Sequence, residues 1–162
     1  MDTTGIVTVK EAKEFIQANV SKGAYCPCCS QHVMRYKLFF HRGTAITLLY
    51  MDEAYRVIPK MKPEHYIHVE NYLVERGVTL RGVHAKAKFW GLIEPQPTSS
   101  DRKIRSNGYW RLTDKGRKFV AGKVQIPSLA MVFNDHCDAF GDEMVSISDV
   151  IKNSFDYKLL KK

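Results

Sequence analysis

The 162-residue chain lacks any apolar run approaching the ~18 residues needed to span a bilayer. Its first residues, MDTTGIVTVKEAKEF, lack the basic-then-apolar order of a secretory signal. Cysteine is scarce: Cys26, Cys28, Cys29 and Cys137 are the only four, and three of them crowd into four positions. That distribution excludes the disulfide framework of a small secreted domain. Nothing has the spacing of a nucleophile elbow, a phosphate-binding loop or a zincin helix, so no enzymatic activity is expected. There is no internal repeat and no low-complexity tract. A cytoplasmic protein without membrane association follows as the expectation.

Acidic residues are also missing from one region in particular. Between Arg76 and Lys118 there are eleven basic residues against Glu94, Asp101 and Asp114, a net +8. The rest of the chain carries fourteen of each sign, so this segment holds the whole net charge of +8. A basic stripe of this kind is the electrostatic footprint of a polyanion partner. The bland alternative is a solvated surface, and the concentration of charge in one segment argues against it. Apolar residues at 44 % and charged residues at 26 % predict a packed domain.

Periodicity places the elements. Thr8 and Glu11 have capping-box spacing, and Val9, Ala12, Ile16 and Val20 recur at helical intervals with Phe15 beside them. Gly23 is the natural stop. Residues 33–43 read as a short strand or arm, and 44–56 as a helix. Pro63 is expected in the first turn of a further helix that ends at Gly77. Thr79 and Gly91 bracket a third helix, with Leu80, Val83, Ala87 and Trp90 as its buried stripe. Gly82 costs that helix about 1 kcal/mol relative to Ala, which favours a later start. Arg81, His84 and Lys88 fall on its opposite face, with Ala85 between them and Lys86 alongside.

Leu92–Gln96 and Tyr109–Leu112 read as two strands, with Asn107-Gly108 a turn signal between them. Thr113 caps a helix that buries Phe119 and Val120. Residues 124–133 read as a strand, 134–143 as an acidic loop, and Ser146 or Ser148 caps a last helix through Ile151.

Helix, turn, helix with a basic outer face, then a hairpin with a basic tip, is the winged-helix arrangement. The run FWGLIEPQPTSSDRKIRSNGYWRLTDKGRKFV resembles the recognition-helix end and wing of MarR-like winged-helix regulators. The matches are Gly91-Leu92-Ile93, Asp101-Arg102, and Leu112-Thr113 with Gly116, over residues 79–120. More broadly, the CPCC knuckle, WGLIE, GYWRLTDKGRKFV and SFDYKLL look like a group of small proteins encoded by bacteriophages and prophages. That likeness implies a bacterial host cell as the setting and supplies no mechanism.

The expected fold is therefore mainly α (α+β), a winged helix-turn-helix core with small N- and C-terminal additions. Residues 1–42 form an N-terminal helix and cysteine knuckle, 43–122 the winged-helix domain, and 123–162 a strand and helix extension on the same core. The expected function is double-stranded DNA binding by a phage or prophage regulator. A recognition helix at about 79–90 enters the major groove with Arg81, His84, Lys86 and Lys88. A wing at about 98–108 meets the backbone or minor groove with Arg102, Lys103, Arg105 and Asn107. The alternative is a phage-encoded protein-interaction module, for counter-defence or as a replication accessory, that binds a host or phage protein. A homodimer reading two half-sites is compatible with either.

The knuckle Cys26-Pro27-Cys28-Cys29 contains one C-x-x-C, which is half of a structural zinc site. Cys26, Cys29, His32 and His41 make one possible ligand set, with Cys28, His136 and Cys137 as further candidates. The competing reading is a tight turn of small residues with no metal.

Overall fold

The structure, a computed structural model, describes residues 7–97 and 107–152. Over these residues helix accounts for 39 % and strand for 23 %. The central element is α2 (Arg42–Val57), whose Thr44, Ala45, Thr47, Leu48, Met51 and Ala54 are all buried. Around it pack α3 (Val69–Glu75), α4 (Asp114–Val120), α5 (Ile147–Ile151) and a short 3-10 helix, His84–Trp90. Phe40, just before α2, meets Trp90 and Phe119 edge-on at 5.1 and 5.4 Å. The same hydrophobic core takes in Ile126, Ala130, Ile147 and Ile151, so the C-terminal elements belong to it.

Ten short strands among the described residues form four small antiparallel sheets. β1 (Ala24–Tyr25) pairs with β2 (His32–Val33). β3 (Tyr36–Phe39), β8 (Leu129–Phe133) and β9 (His136–Phe140) form one three-stranded sheet with β8 in the middle. β4 (Ile67–His68), β5 (Ile93–Pro95) and β6 (Tyr109–Leu112) form the other, in the order β4-β6-β5. β7 (Ile126–Pro127) pairs with β10 (Met144–Val145). No helix among the described residues is long and apolar enough to cross a membrane.

This overturns the expectation of a mainly α, winged helix-turn-helix core with small additions. The molecule is α+β with several sheets. The segments set aside as additions are structural: β3, from before residue 43, pairs along its whole length with β8, from after residue 122. The expected third α-helix over 79–90 is a seven-residue 3-10 helix that begins at His84. Gly82 sits at φ +67°, a left-handed conformation that breaks the helical path upstream.

Two other elements differ from the sequence reading. The helix expected from Pro63 begins only at Val69, because Ile67 and His68 pair with Trp110 and Tyr109 as β4. The His68 ring then caps α3 by accepting from the Asn71 N–H at 3.3 Å. Half of the expected acidic loop 134–143 is strand, His136–Phe140. Asn134 and Asp135 take φ of 48° and 61° and make a two-residue hairpin turn, conformations those residue types tolerate. The capping box of α1 (Val9–Asn19), Thr8/Glu11, forms as its spacing predicts. Of the two serines that could cap α5, Ser146 does so, in a capping box with Asp149. The face of α1 is less buried than its periodicity suggests: Ala12 is covered, while Val9 is 66 % exposed.

Candidate nucleic-acid interface

The basic segment folds into α3's C-terminal end, the 3-10 helix, the β5–β6 hairpin and α4. In a 3-10 helix residues three apart eclipse one another, so one ridge carries i, i+3 and i+6. Here that ridge is His84, Ala87 and Trp90, and all three are buried. His84, expected on the outer face, therefore points inward. It is 4 % exposed and stands edge-on to Trp110 at 5.8 Å. Its Nδ1 has no hydrogen-bond partner among the described residues. Burial holds its pKa below the ordinary imidazole value, with the Glu70 charge opposing and His68 adding to the shift.

Lys88, the second residue expected to read DNA, is committed to a carboxylate. Its Nζ lies 2.7 and 2.9 Å from the two Asp135 oxygens in the β8–β9 turn. Arg81 and Lys86 are exposed and have no ion pair among the described residues. The loop carrying Arg81 is tied down just after it. The Gly82 N–H donates to Glu70 at 3.1 Å, and the Thr44 hydroxyl donates to the Val83 carbonyl at 3.3 Å.

Much of the remaining stripe is neutralised on the spot. Arg111 contacts Glu94 at 2.5 Å, donates to the Glu64 carbonyl at 3.1 Å, and lies 4.8 Å from the Tyr66 ring centre. Arg117 pairs with Asp114 and donates to the Leu112 carbonyl at 2.9 Å. Arg76 reaches Glu53 at 3.5 Å and the Tyr72 hydroxyl at 2.9 Å. Lys115 donates to the Trp90 carbonyl at 2.9 Å. Arg111, Lys115 and Arg117 share a cleft of ≈ 530 Å³ with Glu64, Glu94 and Asp114. Three cations against three carboxylates give that cleft no net preference for an anion.

The hairpin brings Gln96 against Asn107 and Tyr109. The Gln96 N–H donates to the Tyr109 carbonyl at 2.9 Å, and the Asn107 amide donates to the Gln96 side chain at 3.1 Å. Asn107 therefore holds the hairpin closed. Arg102, Lys103 and Arg105 lie in the connection between these anchors, outside the described residues. Tyr109 was read from the sequence only as part of the returning strand. It is 41 % exposed at the base of this basic connection, its ring edge-on to His68 at 5.0 Å. The signal was legible: β6 alternates, with Trp110 and Leu112 inward and Tyr109 and Arg111 outward.

The cysteine knuckle lies apart, on the β1–β2 hairpin. His32 packs edge-on against Tyr25 at 5.0 Å, whereas His41 is the N-cap residue of α2. Among the described residues no three His, Cys, Asp or Glu side chains group to hold a metal ion. The set Cys26, Cys29, His32 and His41 is thus not brought together, because β3 carries the chain away between the two histidines. Cys137 is on β9, where its thiol contacts the Ala139 carbonyl at 3.2 Å.

No family model, curated protein or solved structure matches the chain.

Proposed function

We propose that the protein binds double-stranded DNA through the basic connection between β5 and β6. Arg102, Lys103 and Arg105 contact phosphates, and the exposed Arg81 and Lys86 extend the cationic surface. Tyr109 offers an aromatic face beside it. The observation that supports this reading is how the charge is distributed. The two described carboxylates within the segment, Glu94 and Asp114, are each taken up by a neighbouring arginine. With Arg76 and Lys88 also paired, to Glu53 and Asp135, Arg81 and Lys86 are exposed cations with no ion pair among the described residues, and unpaired surface cations attract a polyanion and release its counterions. His84 and Lys88 take no part, since one is buried and the other is paired. A phage or prophage regulator is the setting implied by the sequence resemblance.

A second reading, a protein-docking module, is favoured by one observation. Tyr36 and Phe39 on the edge strand β3 are 60 % and 52 % exposed. Salt separates the two. Binding to random-sequence duplex through about six phosphate contacts weakens by about 10³ between 50 and 200 mM salt. The Arg102→Ala, Lys103→Ala, Arg105→Ala variant is expected to lose that binding, with its circular dichroism unchanged. Absence of binding by the wild type at low salt overturns the DNA reading.

A further inference from the structure

β3 is an edge of its sheet, and two hydrogen bonds settle which of its backbone groups face outward. The Phe40 N–H donates to the Ser128 carbonyl at 2.8 Å, and the Gly141 N–H donates to the Leu129 carbonyl at 2.9 Å. In an antiparallel ladder the bonded side alternates residue by residue. Leu129 therefore bonds towards β9 and Ala130 towards β3, so Tyr36 and Leu38 direct their N–H and carbonyl groups at β8. The N–H and carbonyl groups of Lys37 and Phe39 point out of the edge, and none of the four has a hydrogen bond among the described residues. This free edge is closed at both ends. The Arg35 N–H donates to the Val20 carbonyl at 2.9 Å, and the His41 carbonyl accepts from the Ala45 N–H at 3.1 Å. Lys37 and Phe39 are exposed on the outer face, whereas Leu38 between them packs against the core. An unpaired edge of this kind templates another strand.

We propose that β3 pairs with β3 of a second copy of this chain, antiparallel about a two-fold axis at Leu38. That axis sets Lys37 of each copy opposite Phe39 of the other. Each such pair exchanges two N–H···O=C bonds, which satisfies the four free groups of both copies. The neighbouring registers fail. An axis at Lys37 sets two ammonium groups face to face and calls on the Arg35 N–H, which is engaged. An axis at Phe39 calls on the His41 carbonyl, which is engaged too. In the Leu38 register no like charges oppose, and each Lys37 stands beside a Phe39 ring of the other copy. The two three-stranded sheets join into one, with Phe39, Leu129 and Met131 of both copies on a shared apolar outer face. The pairing uses no cation of residues 76–118, so it stands whether or not the chain binds DNA.

The test is sedimentation equilibrium of the full chain, kept reduced, with circular dichroism as the check on folding. The wild type is expected to dimerise at concentrations up to about 200 µM. Phe39→Glu sets a carboxylate opposite each Lys37 and is expected to keep the dimer. Phe39→Lys sets ammonium against ammonium twice and is expected to dissociate it. The dimer dissociation constants of these two variants should differ by at least about tenfold. Lys37→Pro removes an outward N–H, leaves the β3–β8 bonds in place, and is expected to be monomeric. A wild type that stays monomeric over this range overturns the proposal. So do Phe39→Glu and Phe39→Lys variants that weaken the dimer equally, which marks an apolar contact without this register. A dimer that neither variant changes overturns it as well, since the interface then lies elsewhere.

Discussion

Gly116 is the residue at which one added methyl group does the most damage. It is buried on α4, and a Cβ there would stand 2.0 Å from the Leu92 carbonyl oxygen, where real contacts hardly fall below 3.0 Å. The obstacle is backbone on both sides, so no side chain can swing away. Gly116→Ala must push α4 off the Gly91–Leu92 turn by more than an ångström. Three hydrogen bonds cross that junction: Thr113 N–H to the Leu92 carbonyl at 3.0 Å, the Thr113 hydroxyl to the Gly91 carbonyl at 2.6 Å, and Lys115 to the Trp90 carbonyl at 2.9 Å. Overpacking costs about 1–3 kcal/mol. Each weakened hydrogen bond costs about 0.5–1.5 kcal/mol. The better helix propensity of Ala returns about 1 kcal/mol. The net expectation is a loss of about 2–6 kcal/mol, or roughly 4–24 °C in Tm for a chain of this size. Urea titration and a thermal melt read it directly. A Gly116→Ala protein as stable as the wild type would show that the α4–hairpin junction is not packed this way.

Two further outcomes follow from the buried face of the 3-10 helix. His84 has a folded-state pKa below its ordinary value of 6.5. The unfolded chain therefore takes up that proton first as pH falls, and the contribution of His84 is lost from about pH 6.5 downward through its lower folded pKa. Urea midpoints at about pH 7.5 and about pH 5.5 should differ more for the wild type than for His84→Leu; equal slopes would refute the assignment. Trp90 is 2 % exposed and its indole N–H donates to the Pro127 carbonyl at 2.6 Å. Trp90→Phe removes that donor and opens a gap, at a cost of about 2–4 kcal/mol by denaturant titration. An unchanged midpoint would place the indole outside the core.

Local signals were the most legible. Thr8/Glu11 and Thr113 start their helices where the spacing says, and the last helix starts at Ser146, one of the two serines the sequence offered, since a cap is decided within four residues. The strands around Ile93 and Tyr109–Leu112 were readable from apolar residues bounded by turn signals. His84 was misassigned because the apolar spacing of Leu80, Val83, Ala87 and Trp90 presupposes an α-helix. A change from 3.6 to 3.0 residues per turn rotates His84 onto the buried ridge. The opposing carboxylates of the basic stripe were also out of reach. Asp135 stands 47 residues from Lys88, and Glu53 comes to Arg76 from another helix.

By itself the sequence determined the charge excess of residues 76–118, the capped starts of the first helix and of the helix after Thr113, and the crowding of three thiols on one knuckle. Each of these follows from composition or from neighbours a few residues apart. Tertiary structure alone decided that β3 joins β8 across ninety residues of chain, that the third helix tightens, and which cations remain unpaired. Those outcomes depend on contacts between distant segments, where burial outweighs local preference and a charge takes its value from whatever packs beside it.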